Sequence, residues 1–250
     1  MRVFFCSKQR ALLGLVYGAA LALLAAGGIA VLPGTEARPA LAQPYRCGDA
    51  DSSLVSLSFN VDWGEEYLPD ILSLLEEEGV RATFFLTGRW CDEHPDLAAA
   101  IAEAGHELGN HGYSHASPNA SAPAEIIGEI SRTEQSIRRA AGVTTRLYAP
   151  PSGEEEEHVL AAAAEAGYQT VLWSVDTVDW QQPDAATVRQ RVADGLRGGA
   201  IILAHPTACT LAALPGIIAD VRAAGCRLVP VSENLGLSAA APRHGRKSAG

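Results

Sequence analysis

The 250-residue chain is almost without lysine: Lys8 and Lys247 are the only two, and arginine supplies the other 17 basic positions. That bias reads as base composition with little functional meaning. Basic charge is short overall, with 19 Lys and Arg against 29 Asp and Glu, a net −10. A nucleic-acid binder needs a basic face, so that class is excluded. No G-x-G-x-x-G follows the first strand-like run, which leaves a dinucleotide-binding fold without support. No C-x-x-C occurs among the five cysteines, so a zinc-ribbon reading is weak. The 24 glycines and 14 prolines follow no collagen-like period, which excludes a fibrous chain. What is abundant is apolar material: 48% hydrophobic against 19% charged residues suffices for a core and excludes disorder.

The N-terminus is a separate part. Arg2, Lys8 and Arg10 precede residues 11–32, which carry no charge. That run is long enough to span a bilayer, and the positive flank keeps the start of the chain in the cytoplasm. Ala40-Leu41-Ala42 offers a small-residue cleavage site. The segment therefore reads either as a cleaved signal or as an anchor that holds the protein to the membrane. Both place the remainder outside the cytoplasm, secreted or membrane-anchored. The expected organisation is 1–42 signal or anchor plus linker, 43–238 one domain, and 239–250 a disordered tail. Beyond residue 42, 15 basic and 28 acidic residues remain, a net −13. Such a domain does not favour anionic polymers. Cys47, Cys91, Cys209 and Cys226 fall in the exported part, where disulfides can form. Their pairing is open, since four cysteines allow three connectivities.

Between the ends, β-like runs alternate with helical patterns. Strands are expected at Leu54–Phe59, Ala82–Leu86, Glu107–Asn110, Leu147–Ala149, Thr170–Val175, Ala200–Leu203 and Arg227–Val231. Helices are expected at Leu68–Glu78, Pro95–Ala104, Pro123–Ala141, Glu155–Ala166, Ala185–Leu196 and Thr210–Ala224. Each strand but the last is followed by a helix. That order predicts an α/β fold with a parallel sheet, either an open doubly wound sheet or an irregular closed barrel.

Polar residues gather just after the strands: Asn60 and Asp62, His111 and His115, Ser152 and Glu154, Asp176 and Asp179, and His205. In a parallel α/β barrel these ends share one face, and that face carries the active site. His111 and His115 are two imidazoles four residues apart. By themselves they could be surface or capping residues; with one carboxylate they leave open positions on Zn²⁺, as hydrolysis requires. His205 ends an apolar run, and an imidazole is the side-chain type suited to a general acid near neutral pH. Asp176 or Asp179 is placed to orient it.

Five segments together resemble a known family. Ser58-Phe59-Asn60-Val61-Asp62-Trp63-Gly64, Asn110-His111-Gly112-Tyr113-Ser114-His115, Ala149-Pro150-Pro151-Ser152-Gly153, Asp176-Thr177-Val178-Asp179-Trp180 and Leu203-Ala204-His205 follow the order and spacing of the motifs of polysaccharide deacetylases. This is the NodB-homology group, carbohydrate esterase family 4, and the sporulation-associated branch is the nearest in pattern. The resemblance implies an irregular (β/α)7 barrel, which here follows the N-terminal hydrophobic signal or anchor segment. It also implies metal-dependent removal of N-acetyl groups from a cell-wall or chitin-like amino-sugar polymer, peptidoglycan first. The implied cofactor is a divalent metal, Zn first, with Co or Mn as alternatives. His111, His115 and Asp62 become the metal ligands. His205 becomes the acid, tuned by Asp179 or else Asp176. Ser152 lends a backbone N–H to the oxyanion beside Pro151, and Trp180 and Leu203 wall the acetyl pocket.

The sequence departs from the family pattern in its first motif. The resemblance places the catalytic base at Asn60 and a ligand at Val61, with Asp62 one residue late. An asparagine cannot take a proton from water at neutral pH. The arginine that partners the base in the family is Ala149 here, so both members of a buried charge pair are gone together. The expectation is therefore an altered but active deacetylase, with a glycan-binding protein of impaired activity as the alternative. A third reading is a different metallohydrolase on the same barrel.

Overall fold

The run LVSLSFNV forms β1 (Leu54–Val61), with every residue but Leu54 buried. Val55, Leu57, Phe59 and Val61 join the main hydrophobic cluster with helix residues such as Leu68, Ile71 and Leu75. By the two-residue period of a strand, Ser56, Ser58 and Asn60 face the opposite side. A strand buried on both faces is the mark of a parallel sheet covered by helices.

The computed structural model describes residues 43–237. After β1 come α1 (Leu68–Glu77), β2 (Thr83–Leu86), α2 (Gly88–Glu93), α3 (Pro95–Glu103), β3 (Glu107–Asn110) and α4 (Pro123–Ala141). Then follow β4 (Leu147–Tyr148), α5 (Glu157–Glu165), β5 (Gln169–Thr170), β6 (Val175–Asp176) and α6 (Ala185–Gly195). The series ends with β7 (Ile201–Ala204), α7 (Ala208–Ala223), β8 (Arg227–Leu228) and the short α8 (Val231–Asn234).

Every strand pair is parallel, in the order β5-β4-β3-β2-β1-β7-β6, with β8 on the start of β1. The expected parallel α/β arrangement is present, and the sheet curls into a half-barrel. The expected strand Thr170–Val175 is two short pairings, β5 and β6, and these are the two ends of the sheet path. Residues 45–48 run from β5 to the start of β7: Tyr45 bonds to Thr170 and Leu172, and the Gly48 N–H donates to Gly199. Inside the curl, Phe85, Leu147, Ala149, Val171, Ile201 and Val231 pack together. Helix α8 plugs the end where the strands begin, with the Val231 N–H on Thr83 Oγ1 and the Asn234 amide on the carbonyls of Gly199 and Ala200. The other end, where the strands finish, stays open for chemistry.

Cys47, Cys91, Cys209 and Cys226 are unpaired thiols. Among the described residues no helix is long and apolar enough to cross a membrane. The expected signal or anchor at 1–42 and the tail at 239–250 lie outside the described residues.

Candidate active site

Strand β7 delivers His205 one residue past its end, on the side set by Ile201 and Leu203. The His205 Nδ1 atom lies 2.7 Å from Asp179 Oδ1, and the His205 N–H donates to Asp179 Oδ2 at 2.6 Å. The Thr210 hydroxyl donates to the same Oδ2. Burial pushes the Asp179 carboxyl up, but the hydrogen bonds and charge of His205 and the bond from Thr210 outweigh it and hold it below the ordinary carboxylate range. An ionised Asp179 requires Nδ1 of His205 to carry a hydrogen. Its Nε2 is then left for a substrate. Of the two aspartates expected to orient His205, Asp179 does so. Asp176 instead accepts the Val178 N–H at 2.8 Å and closes the turn that presents Asp179.

Trp63 lies parallel to the His205 ring, with centroids 5.9 Å apart and planes 4° from each other. The loop that carries it touches the next: a Cβ on Gly64 (φ 85) would sit 2.1 Å from the Pro206 carbonyl. Trp63 and Trp180 are 42% and 54% exposed, two of the three most exposed large apolar side chains among the described residues.

The second imidazole group comes from the loop after β3. Asn110, fully buried, donates to the Ile130 carbonyl and accepts the Gly112 N–H, which sets the turn. His111 Nδ1 is 2.6 Å from the Ala149 carbonyl. A carbonyl only accepts, so Nδ1 is the donor and Nε2 holds the lone pair. Burial pushes this imidazole down to about 3, and the nearby His115 and His205 push it the same way. It is therefore neutral at physiological pH. The His115 ring stands edge-on to it, centroids 5.0 Å apart. Sequence reasoning missed the residue that holds this loop. One oxygen of Glu129, on α4, accepts the Tyr113 N–H, the Ser114 N–H and the Ser114 hydroxyl at 2.7–3.0 Å. Nothing in the local pattern flags it, since the partners are 15 and 16 residues away.

A divalent ion fits two of the three residues assigned to it. His111 offers a neutral imidazole nitrogen, fixed on one side by a backbone carbonyl as metal-bound histidines are, and the His115 ring adjoins it. Asp62 does not fit as placed. Its Oδ1 accepts the Thr87 hydroxyl at 2.8 Å and its Oδ2 is bridged to Arg89 at 2.6 Å. Among the described residues no three His, Cys, Asp or Glu side chains form a ligand set. The Asp62 carboxylate is close enough for its charge to reach His111, and both of its oxygens are engaged by Thr87 and Arg89.

Asn60 lies at the end of β1, buried and beside Phe85 of β2 in the register. Val61 belongs to the outer hydrophobic cluster, so no ligand could serve from that position. Ser152 adopts φ 58, a left-handed conformation costing on the order of 1–3 kcal/mol for a residue with a side chain. The site holds three of the four such residues described: His115, Ser152 and Val178. Pro151 is buried and adjoins Gly112 of the histidine loop. Leu203 is buried in β7 opposite Ser58, on the inner side. The strand ends thus gather an oriented histidine, a second pair of adjoining histidines and a strained loop on one face.

The model of the polysaccharide deacetylase family matches residues 48–171. A peptidoglycan-N-acetylglucosamine deacetylase of Bacillus cereus is 35% identical over 187 residues, which cover 73% of this chain and 68% of that protein. The chain belongs to the polysaccharide deacetylase family. The uncharacterized protein YlxY of Bacillus subtilis is 38% identical over 191 residues, 76% of this chain. The matched part spans 60% of YlxY's length. Among solved structures, BA3943 of Bacillus anthracis, described as a pseudoenzyme of carbohydrate esterase family 4, superposes with a TM-score of 0.76 at 37% identity, covering 78% of this chain and 69% of that one. A mutant of BA3943 is described as having restored enzymatic activity. The family thus contains both hydrolases and a member without activity.

Proposed function

We propose that this protein removes N-acetyl groups from amino-sugar polymers of the cell wall, peptidoglycan first and chitin-like glycan second, outside the cytoplasm. The observation that carries this reading is the His205–Asp179 pair facing the same open end as His111 and His115. In the hydrolysis, water oxygen bonds to the acetyl carbon and the carbon–nitrogen bond breaks. The leaving amine takes a proton from His205 Nε2, the proton shed by the attacking water passes to solvent, and acetate departs. Asp179 stabilises the protonated imidazole and fixes its orientation, in the way a buried carboxylate orients a catalytic histidine. Trp63 and Trp180 supply exposed aromatic faces on which sugar rings can lie. The divalent metal, Zn with Co or Mn as alternatives, belongs to this reading through His111 and His115. No step is assigned to it, since the third ligand is engaged. The export segment at 11–32 supports the extracytoplasmic location, secreted or membrane-anchored.

A second reading has its own observation. Asn60 stands where the family base would be, and Ala149 stands where its arginine partner would be. A barrel so altered can bind glycan without turnover, and the likeness to BA3943 supports this. Acetate released from N-acetylglucosamine oligomers and from peptidoglycan, assayed with Zn²⁺, Co²⁺ and Mn²⁺, decides between the two. Release that is lost in His205→Ala supports the deacetylase. Polymer binding without release, retained in His205→Ala, overturns it in favour of the binding protein.

A further inference from the structure

We propose that Arg89 is a built-in competitor of the metal ion: its guanidinium occupies the Asp62 carboxylate that would complete a set with His111 and His115, so that the full site forms only when this ion pair opens. The inference deepens the proposed function and rests on the reading of the two histidines as ligands.

Three observations converge on it. The Asp62 side chain is 14% exposed and both of its oxygens are satisfied, one by Thr87 and one by Arg89 at 2.6 Å. Such a charge-assisted bond is among the strong ones. Arg89 is also tied to the histidine loop through its backbone. The Gly88 and Arg89 N–H groups donate to the carbonyls of Gly112 and Tyr113, each at 3.0 Å. The guanidinium therefore originates from the segment that positions His111 and His115. The Arg89 side chain, 46% exposed, has room to swing into solvent, whereas Asp62 is fixed by its place after β1. The cation thus sits on the carboxylate that a metal would use, and its backbone is tied to the loop that carries the imidazoles.

The test is binding of the metal alone to the full chain. Co²⁺ is titrated by its visible absorption, and Zn²⁺ by competition with a chromophoric chelator. Arg89→Met should bind either ion about 10- to 100-fold more tightly than the wild type, the range expected when a bond to a charged group is no longer displaced. Arg89→Lys should fall between. In an Asp62→Ala background the gain from Arg89→Met should vanish, and His111→Ala should weaken binding in every background. Unchanged affinity in Arg89→Met, or a gain that survives Asp62→Ala, overturns the proposal while leaving the histidines as ligands. Absence of any His111-dependent binding overturns both. Acetate release is not part of the readout, so a site that binds metal without turnover still tests the inference.

Discussion

In the proposed deacetylation, activity turns on Asn60 and Asp179, which lie on opposite halves of the chemistry. Asp179 is fully buried and takes hydrogen bonds from three groups. Asp179→Asn should leave one donor facing another, lower the rate of acetate release by about 10²- to 10⁴-fold, and cost about 2 kcal/mol of stability. A urea titration and an acetate assay measure the two separately. Asn60→Asp should act in the opposite direction. It supplies a group able to accept a proton from water, and an added Ala149→Arg gives that carboxylate a charge partner. The pair should raise acetate release about 10²-fold over the wild type. If neither the single nor the double change alters the rate, Asn60 does not occupy the position of the base. Much of this was legible in the sequence. His205, the two aspartates and the histidine pair were all visible after apolar runs, and Asn60 stood out as a departure. The engagement of Asp62 was not legible, because Thr87 and Arg89 lie 25 and 27 residues away at the start of another element, the helix α2.

The elements matter because the site is built from loops that the chain would not adopt unaided. The 112–115 turn holds His115 at positive φ, and one carboxylate on α4 takes three hydrogen bonds from it. Glu129→Ala should release the turn while leaving α4 intact. Amide hydrogen exchange at Tyr113 and Ser114 should accelerate, metal affinity should fall, and stability should drop by about 2 kcal/mol. Glu129→Gln should restore part of the protection, since its amide oxygen still accepts. Unaltered exchange in Glu129→Ala would show that the loop holds its own shape. The long periodic α4 is readable at Pro123–Ala141, and the pattern also marks β3 at Glu107–Asn110, both with the observed bounds. Other short elements are not readable. Helix α2 is six residues beside a strand, and β5 and β6 are two residues each, too brief for periodicity to mark.

At the scale of the whole described unit, the half-barrel separates its two ends. The strand C-terminal ends carry the chemistry, and the N-terminal ends carry a polar network that serves stability. Glu107 accepts from the Thr83 hydroxyl and the Ser232 N–H, and Glu233 pairs with Arg81 and Arg227. His106 lies in this lower network, just before β3. Its Nδ1 accepts the Ala82 N–H at 3.1 Å, a bond that only the neutral ring can make. Burial, with Arg81 nearby adding to it, pushes this imidazole down to about 4. An unfolded histidine titrates near 6.5. Between pH 6.5 and 4 the unfolded chain therefore binds one proton that the folded chain refuses. The stability contributed by His106 is complete above 6.5 and is lost as pH falls towards 4. The slope is at most about 1.4 kcal/mol per pH unit, some ~3 kcal/mol over the window. Urea midpoints measured at pH 7, 6, 5 and 4.5 should fall accordingly. His106→Gln, whose side-chain oxygen can accept the Ala82 N–H, should flatten that dependence, with metal affinity and acetate release left as in the wild type. An equal slope in His106→Gln would assign the acid sensitivity to other groups, and altered metal affinity would show that the two ends are coupled.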